Sequence, residues 1–266
     1  MKNAIRILIT LIATLGFQAV IAHHVELPEG MSQARATWLW GHHAVPGDIT
    51  QSGAPYWYAY PHTDVEQITN PVWSEVAKSH IKPGARAPAV LMLHGCSGMT
   101  YGTTQYRRYF IGSGYALFEP SSYARPGKKC GEGFYDLSFQ QRLEELEHAQ
   151  LEIRKLPWVD QERVYLMGIS EGGRVVAAWD GNGFAGHIII AAPCGSDQDS
   201  IPAAPKKVPV LSVIGELDEW AQLSKCRTDG HAAGSKSVVI KGEGHGIPEL
   251  PEVGRAIGEF LRTVGG

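Results

Sequence analysis

The sequence predicts one α/β domain built on a doubly wound, mostly parallel sheet with helices on both faces. Three observations carry that expectation. Short, almost wholly apolar runs recur from residue 88 onward, as strands covered on both faces require. Segments of helical period separate them, and strand–helix alternation is the mark of parallel crossover units. Glycine is in excess, 31 of 266 residues or about 12% against a usual ~7%, without a fibre's period, so tight turns are frequent.

The elements follow in chain order. Ala89-Val-Leu-Met-Leu93 is the first strand, and Tyr115-Ala-Leu-Phe118 the second, after the turn Gly112-Ser-Gly114. Residues 136–156 follow a helical period with Phe139, Leu143, Leu146 and Ile153 on one face; Asp136 suits the start and Pro157 stands beyond the end. Val164–Met167 is the third strand and 171–180 a helix. His187–Ala192, Val208–Ile214 and Ser237–Ile240 are the remaining strands, and 251–263 is the last helix. Ahead of this frame, residues 23–88 are rich in rings, among them Trp38, Trp40, Tyr56, Trp57, Tyr58, Tyr60 and Trp73. One or two early strands and a packing segment are expected there, with some rings free to wall a cleft.

The first 22 residues have another character. Lys2 and Arg6 precede an apolar run, Ile7–Ile21, of about 15 residues, short of the ~20 that span a bilayer. Val20-Ile21-Ala22 then suits a cleavage site, so residues 1–22 are expected to be a signal peptide and 23–266 a single exported domain, periplasmic or secreted. No cysteine lies near the site, so a lipoprotein signal is not expected, nor is a stable membrane anchor. Removal leaves 244 of 266 residues and moves the net charge from −3 to −5, because Lys2 and Arg6 leave with no acid. That balance does not favour a nucleic-acid partner. Four cysteines, none in a CxxC pair, are too few for a disulfide miniprotein or a Cys-rich zinc site. His23-His24 and His42-His43 lack acid or cysteine partners at ligand spacing, so no metal is expected.

The chemistry falls where strands end, as ligand sites do in doubly wound sheets. Gly168-Ile169-Ser170-Glu171-Gly172 is GxSxG between a strand and a helix, the setting of a nucleophile elbow. A serine hydroxyl needs a base, and His245, in Gly-Glu-Gly-His-Gly after the last strand, is the candidate. The base needs an acid to hold its tautomer. Asp218 is the candidate, with Glu216 and Glu219 beside it and Asp197 and Asp199 in reserve. An oxyanion hole requires two backbone donors. The N–H of Glu171 is one, and the N–H of Cys96 in His94-Gly-Cys-Ser-Gly98, with Ser97 second, is the other. His94 is expected to orient that loop rather than act as a base.

These segments together resemble the dienelactone hydrolase family of α/β-hydrolases: His94-Gly95-Cys96, Gly114-Tyr115, Tyr123-Ala124-Arg125, GISEGG, Gly215-Glu-Leu-Asp218 and Gly244-His245. The resemblance spans roughly residues 85–264. It implies an α/β-hydrolase fold and hydrolysis of a small-molecule ester or lactone through an acyl-enzyme, with no cofactor. It also implies that Arg125, with Tyr123 beside it, helps bind a substrate carboxylate, with Lys128 and Lys129 adding positive charge. Two departures stand out. Dienelactone hydrolases proper use a cysteine nucleophile where this chain has Ser170, and the family's second arginine is replaced by Gly246-Ile-Pro-Glu after His245.

The usual strand order of such folds, with export, implies disulfides Cys96–Cys130 and Cys194–Cys226, each closing a little over 30 residues and contributing ~3–4 kcal/mol. The alternative is free thiols. The connection between Ala192 and Val208, about 15 residues, leaves no room for a large lid, so an open cleft edged by residues 121–135 is expected. Two rival functions share the scaffold: a serine peptidase of prolyl-oligopeptidase type, whose propeller domain is absent from this sequence, and a non-catalytic binding protein, whose expected loss of a triad residue is not seen.

Overall fold

The expected strands pair into one eight-stranded sheet, in the order Tyr56–Ala59, His42–Val45, Ala116–Glu119, Ala87–Leu93, Val159–Ile169, Gly186–Ile190, Val210–Gly215, Lys236–Ile240. The structure is a computed structural model and describes residues 27, 29–59, 79–99, 101–128, 135–194, 201–220 and 226–265. The predicted signal peptide and its cleavage site lie outside the described residues, as do Tyr60, Trp73, Lys129, Cys130, Asp197 and Asp199.

Strands β3 (Ala87–Leu93), β4 (Ala116–Glu119), β5 (Val159–Ile169), β6 (Gly186–Ile190), β7 (Val210–Gly215) and β8 (Lys236–Ile240) run parallel. The aromatic front end supplies β1 (His42–Val45) and β2 (Tyr56–Ala59), which extend the sheet antiparallel beyond β4. Before them, Ser32 caps helix α1 (Gln33–Leu39) by accepting the Arg35 N–H at 3.2 Å. Pro88, which has no N–H to donate, sits where the register of β3 against β5 shifts between Ala87 and Ala89.

Alternation along the central strands divides the core into two layers. Leu91 and Leu93 of β3, Leu166 of β5 and Ile189 of β6 pack with Trp38, with Leu146 and Ile153 of α3 (Tyr135–Arg154), and with Val175 and Val176 of α4 (Glu171–Ala178). Val90, Met92, Met167, Ile188 and Val213 face the other way. They meet Tyr106, Phe110 and Ile111 of α2 (Tyr101–Gly112) and Val253, Ile257 and Phe260 of α5 (Pro251–Val264). Burial on both faces explains why these strands read as continuous apolar runs.

The differences from expectation are local. β5 begins five residues before Val164, where Asp160, Gln161 and Glu162 break the apolar run. Tyr115 precedes β4 rather than opening it. Helix α2 gives little sign of itself in the sequence, since its buried stripe is only Thr103, Tyr106, Phe110 and Ile111 amid polar residues. One of those polar residues turns inward: Arg107 donates to the buried carboxylate of Glu119 at 2.6 Å. Among the described residues no helix stands between β6 and β7, and no extra domain accompanies the sheet.

Candidate active site

At the carboxyl end of β5 the chain turns sharply into α4. Ser170 sits at φ 53°, ψ −114°, a region that costs a non-glycine residue about 1–3 kcal/mol. Its N–H is held by the Ile190 carbonyl at 2.9 Å. Gly172 makes the turn possible, because a Cβ there would overlap the carbonyl oxygen of Leu93. Glu171 opens α4, so its N–H has no partner within the helix and points to the same end as Ser170.

Two further loops converge there. The one after β7 carries Asp218 and the one after β8 carries His245. They are stitched together by the Leu217 N–H on the Glu243 carbonyl at 2.8 Å and the Gly242 N–H on the Glu216 carboxylate at 2.8 Å. That second bond occupies Glu216 and leaves Asp218, its side chain buried, to face His245. The Asp218 oxygens lie 2.9 and 3.0 Å from His245 Nδ1, and His245 Nε2 lies 2.9 Å from Ser170 Oγ. The carboxylate can only accept, so Nδ1 carries the hydrogen and Nε2 is free to accept from the serine hydroxyl. The three residues singled out from the sequence are thus within hydrogen-bond reach in the order Ser170, His245, Asp218.

The loop after β3 flanks the serine. A Cβ on Gly95 would lie 3.4 Å from Ser170 Cβ, so this segment passes directly beside the nucleophile candidate. His94 is fully buried and is a positioning residue: Nδ1–H donates to the Gly95 carbonyl at 2.7 Å and Nε2 accepts the Ser122 N–H at 3.0 Å. Burial, and then the charge of Arg142, hold this imidazole well below its ordinary range, so it is neutral and fixed in one tautomer. Arg142 also donates to the His94 carbonyl at 2.7 Å. Cys96 is disulfide-bonded; its expected partner, Cys130, lies outside the described residues. Cys194 and Cys226 form the expected second bridge, with Cα atoms 4.8 Å apart, joining the segments after β6 and after the Asp218 loop.

The structure corrects the expectation for Arg125. Its guanidinium is not offered to a cleft. It is 3% exposed and pairs with the fully buried Glu145 at 2.7 Å and with the Gln141 carbonyl. With Glu145 fully buried, the guanidinium serves to compensate a carboxylate that would be costly to leave unpaired. Lys128 is likewise committed, to Glu171 at 2.6 Å and Ser138 at 2.8 Å. Burial pushes the Glu171 carboxyl up, yet the Arg142 charge and the hydrogen bonds from Lys128 and Ser138 outweigh it and hold it below its usual range. Tyr123 stays at the rim, 40% exposed, with its hydroxyl on the Cys96 carbonyl at 2.7 Å.

Sequence reasoning missed the polar support behind the site. Ser138, Arg142 and Glu145 project from one face of α3 at spacings of four and three, and all are buried. Their common face was legible as a stripe, but a stripe that carries charge does not read as a core face.

The sheet, its flanking helices and the placement of these loops define the class: the molecule is an α/β hydrolase. The chain belongs to the dienelactone hydrolase family, whose model matches residues 76–236, a span that holds Ser170 and Asp218 and stops short of His245. No curated protein matches it. Among solved structures it is similar to a phospholipase/carboxylesterase from Dyadobacter fermentans, with 17% identity and TM-score 0.51 over 65% of this chain and 88% of that one. It is also similar to a predicted CIB-like hydrolase from Thermoplasma acidophilum, with 18% identity and TM-score 0.51 over 69% and 90%. A protein of unknown function from Agrobacterium tumefaciens matches with 19% identity and TM-score 0.52 over 68% and 93%.

Proposed function

We propose that this chain is an exported serine hydrolase that cleaves a carboxylic ester or lactone through an acyl-enzyme. The observation that carries this reading is the chain of contacts Asp218–His245–Ser170, each link 2.9–3.0 Å long. Ser170 Oγ attacks the ester carbonyl carbon while His245 Nε2 takes its proton. The carbonyl oxygen, now an anion, is received by the N–H groups of Glu171 and Cys96, each such donor contributing ~100- to 1000-fold in rate. His245 then returns the proton to the leaving alkoxide, and Ser170 holds the acyl group. Water, deprotonated by the same Nε2, attacks the acyl carbon and frees the acid and the serine. Asp218 keeps the hydrogen on Nδ1 and stabilises the imidazolium formed in both halves.

Export is supported by the character of residues 1–22 and by the Cys194–Cys226 bridge, since disulfides persist in oxidising compartments. Residues 23–266 are then the working domain, with a small-molecule substrate and no cofactor. Turnover of short-chain esters by wild type, Ser170→Ala and His245→Ala tests the chemistry. Wild type is expected to be active and both variants at least ~1000-fold slower at unchanged melting temperature. Equal turnover by all three would contradict it.

A further inference from the structure

The rim formed by the Asp218 and His245 loops is apolar and acidic rather than cationic. On the side of Asp218, Leu217 is 66% exposed and Trp220 61% exposed, side by side with a catalytic loop and covered by no other described element. Large apolar side chains clustered on a surface mark contact sites. Trp220 is not loosely placed. Its backbone N–H donates to Asp218 Oδ1 at 2.9 Å, its indole N–H reaches Glu219 at 3.1 Å, and its ring centroid lies 6.2 Å from that of His245. On the side of the Cys96 loop stands Tyr123, whose ring would lie 3.0 Å from a Cβ on Gly98 and whose hydroxyl is tied to the Cys96 carbonyl. Both rings are therefore fixed to the segments that carry the reacting groups.

The charges point the same way. Arg125, Lys128 and Arg142, the cations whose charges act on His94 at the head of the Cys96 loop, have their side chains buried against glutamates or serine. Across residues 216–220 and 241–246, Glu216, Glu219 and Glu243 are exposed, and the one cation is Lys241. An incoming carboxylate meets net negative potential there.

From this we infer that the site selects neutral esters bearing an aryl or similarly flat apolar group, seated against Trp220 and Leu217, and selects against the carboxylate-bearing lactones for which the family is named. The inference rests on the ester-hydrolase reading above and names the substrate class for the same site. Trp220 is a specificity-determining residue, since it touches the substrate away from the scissile bond; its effect falls on KM more than on kcat.

Three p-nitrophenyl esters with one leaving group test this: the acetate, the 3-phenylpropionate and the hydrogen succinate, each corrected for its rate without enzyme. The expected kcat/KM for the phenylpropionate exceeds that for the succinate by about tenfold or more. Trp220→Ala should lower the phenylpropionate-to-acetate ratio about fivefold, chiefly through KM, and Trp220→Phe should restore most of it. A succinate cleaved as well as the phenylpropionate, or a ratio indifferent to Trp220→Ala, overturns the inference. Acetate cleavage that depends on Ser170 but shows no such preference sinks this inference alone. Acetate cleavage absent from wild type, or equal in Ser170→Ala, sinks the hydrolase reading and this one with it.

Discussion

His245 Nε2 and Ser170 Oγ, 75 positions apart in the chain, meet at 2.9 Å, while the other nitrogen of the same ring rests on the buried carboxylate of Asp218. That second contact dictates the tautomer. Asp218→Asn removes the obligatory acceptor, so the ring can settle with the hydrogen on Nε2, where it cannot take the serine proton. The expected result is a fall in kcat of ~1000- to 10,000-fold with KM and melting temperature close to wild type. Steady-state kinetics with thermal denaturation of the same samples check it.

The backbone at Ser170 makes a second prediction. At φ 53° a Cβ is strained and glycine is not. Replacing alanine by glycine ordinarily costs about 0.5–1 kcal/mol through the unfolded chain. Here relief of strain offsets that loss, so Ser170→Gly should be no less stable than Ser170→Ala. Urea midpoints of the two inactive variants decide it. Gly172→Ala should fail in the opposite sense, losing soluble expression, because its Cβ would overlap the backbone carbonyls of Leu93 and His94.

Arg125 gives the third. Because it is the nearer of two cations facing buried Glu145, with Arg142 at 3.7 Å the other, Arg125→Met should leave that carboxylate under-compensated and cost up to ~3–5 kcal/mol. The ratio of kcat/KM for neutral and anionic esters should stay where it was. Chemical denaturation and paired substrate kinetics separate a structural arginine from a substrate-binding one; a changed ratio at unchanged stability would contradict the buried pair.

Acid stability supplies the fourth. Burial pushes His43 and His187 down to about 3, and His94 well below its ordinary 6.5. Below pH 6.5 the unfolded chain takes up protons at these rings and the folded chain does not. Their contribution to stability is therefore complete above pH 6.5 and is lost as pH falls toward the folded values. At pH 5 the loss is about 2 kcal/mol for each of His43 and His187, and His94 adds to it in the same direction. Glu171 contributes nothing in that window, since its carboxyl is shifted downward from 4.5. Urea midpoints at pH 7.5 and 5.0 should differ accordingly. His187→Leu should recover one histidine's share, because neither His187 ring nitrogen has a hydrogen-bond partner to lose among the described residues. A midpoint unchanged between the two pH values would contradict this.

The parts of this molecule that sequence could show are those with a local cause. Strands β3, β4, β6 and β7, and β5 from Val164 onward, are buried on both faces and announce themselves as apolar runs. Ser170, Asp218 and His245 stand at strand ends in glycine-framed turns, so topology alone brings them together. What escaped were polar groups whose position depends on distant partners. Arg125 resembles a cleft residue until Glu145, 20 positions on, is found beside it. The stripe of Ser138, Arg142 and Glu145 follows the period of a core face but carries charge. Trp220 is an ordinary residue in the sequence, and only its exposure next to His245 singles it out.

The central claim is that Ser170 is the nucleophile, and covalent labelling tests it most directly. Wild-type protein treated with a fluorophosphonate probe, digested and mapped by mass spectrometry, should carry one adduct on the peptide containing Ser170. Ser170→Ala should carry none, and His245→Ala should label far more slowly. Absence of label on wild type, or equal label on Ser170→Ala, would contradict the account.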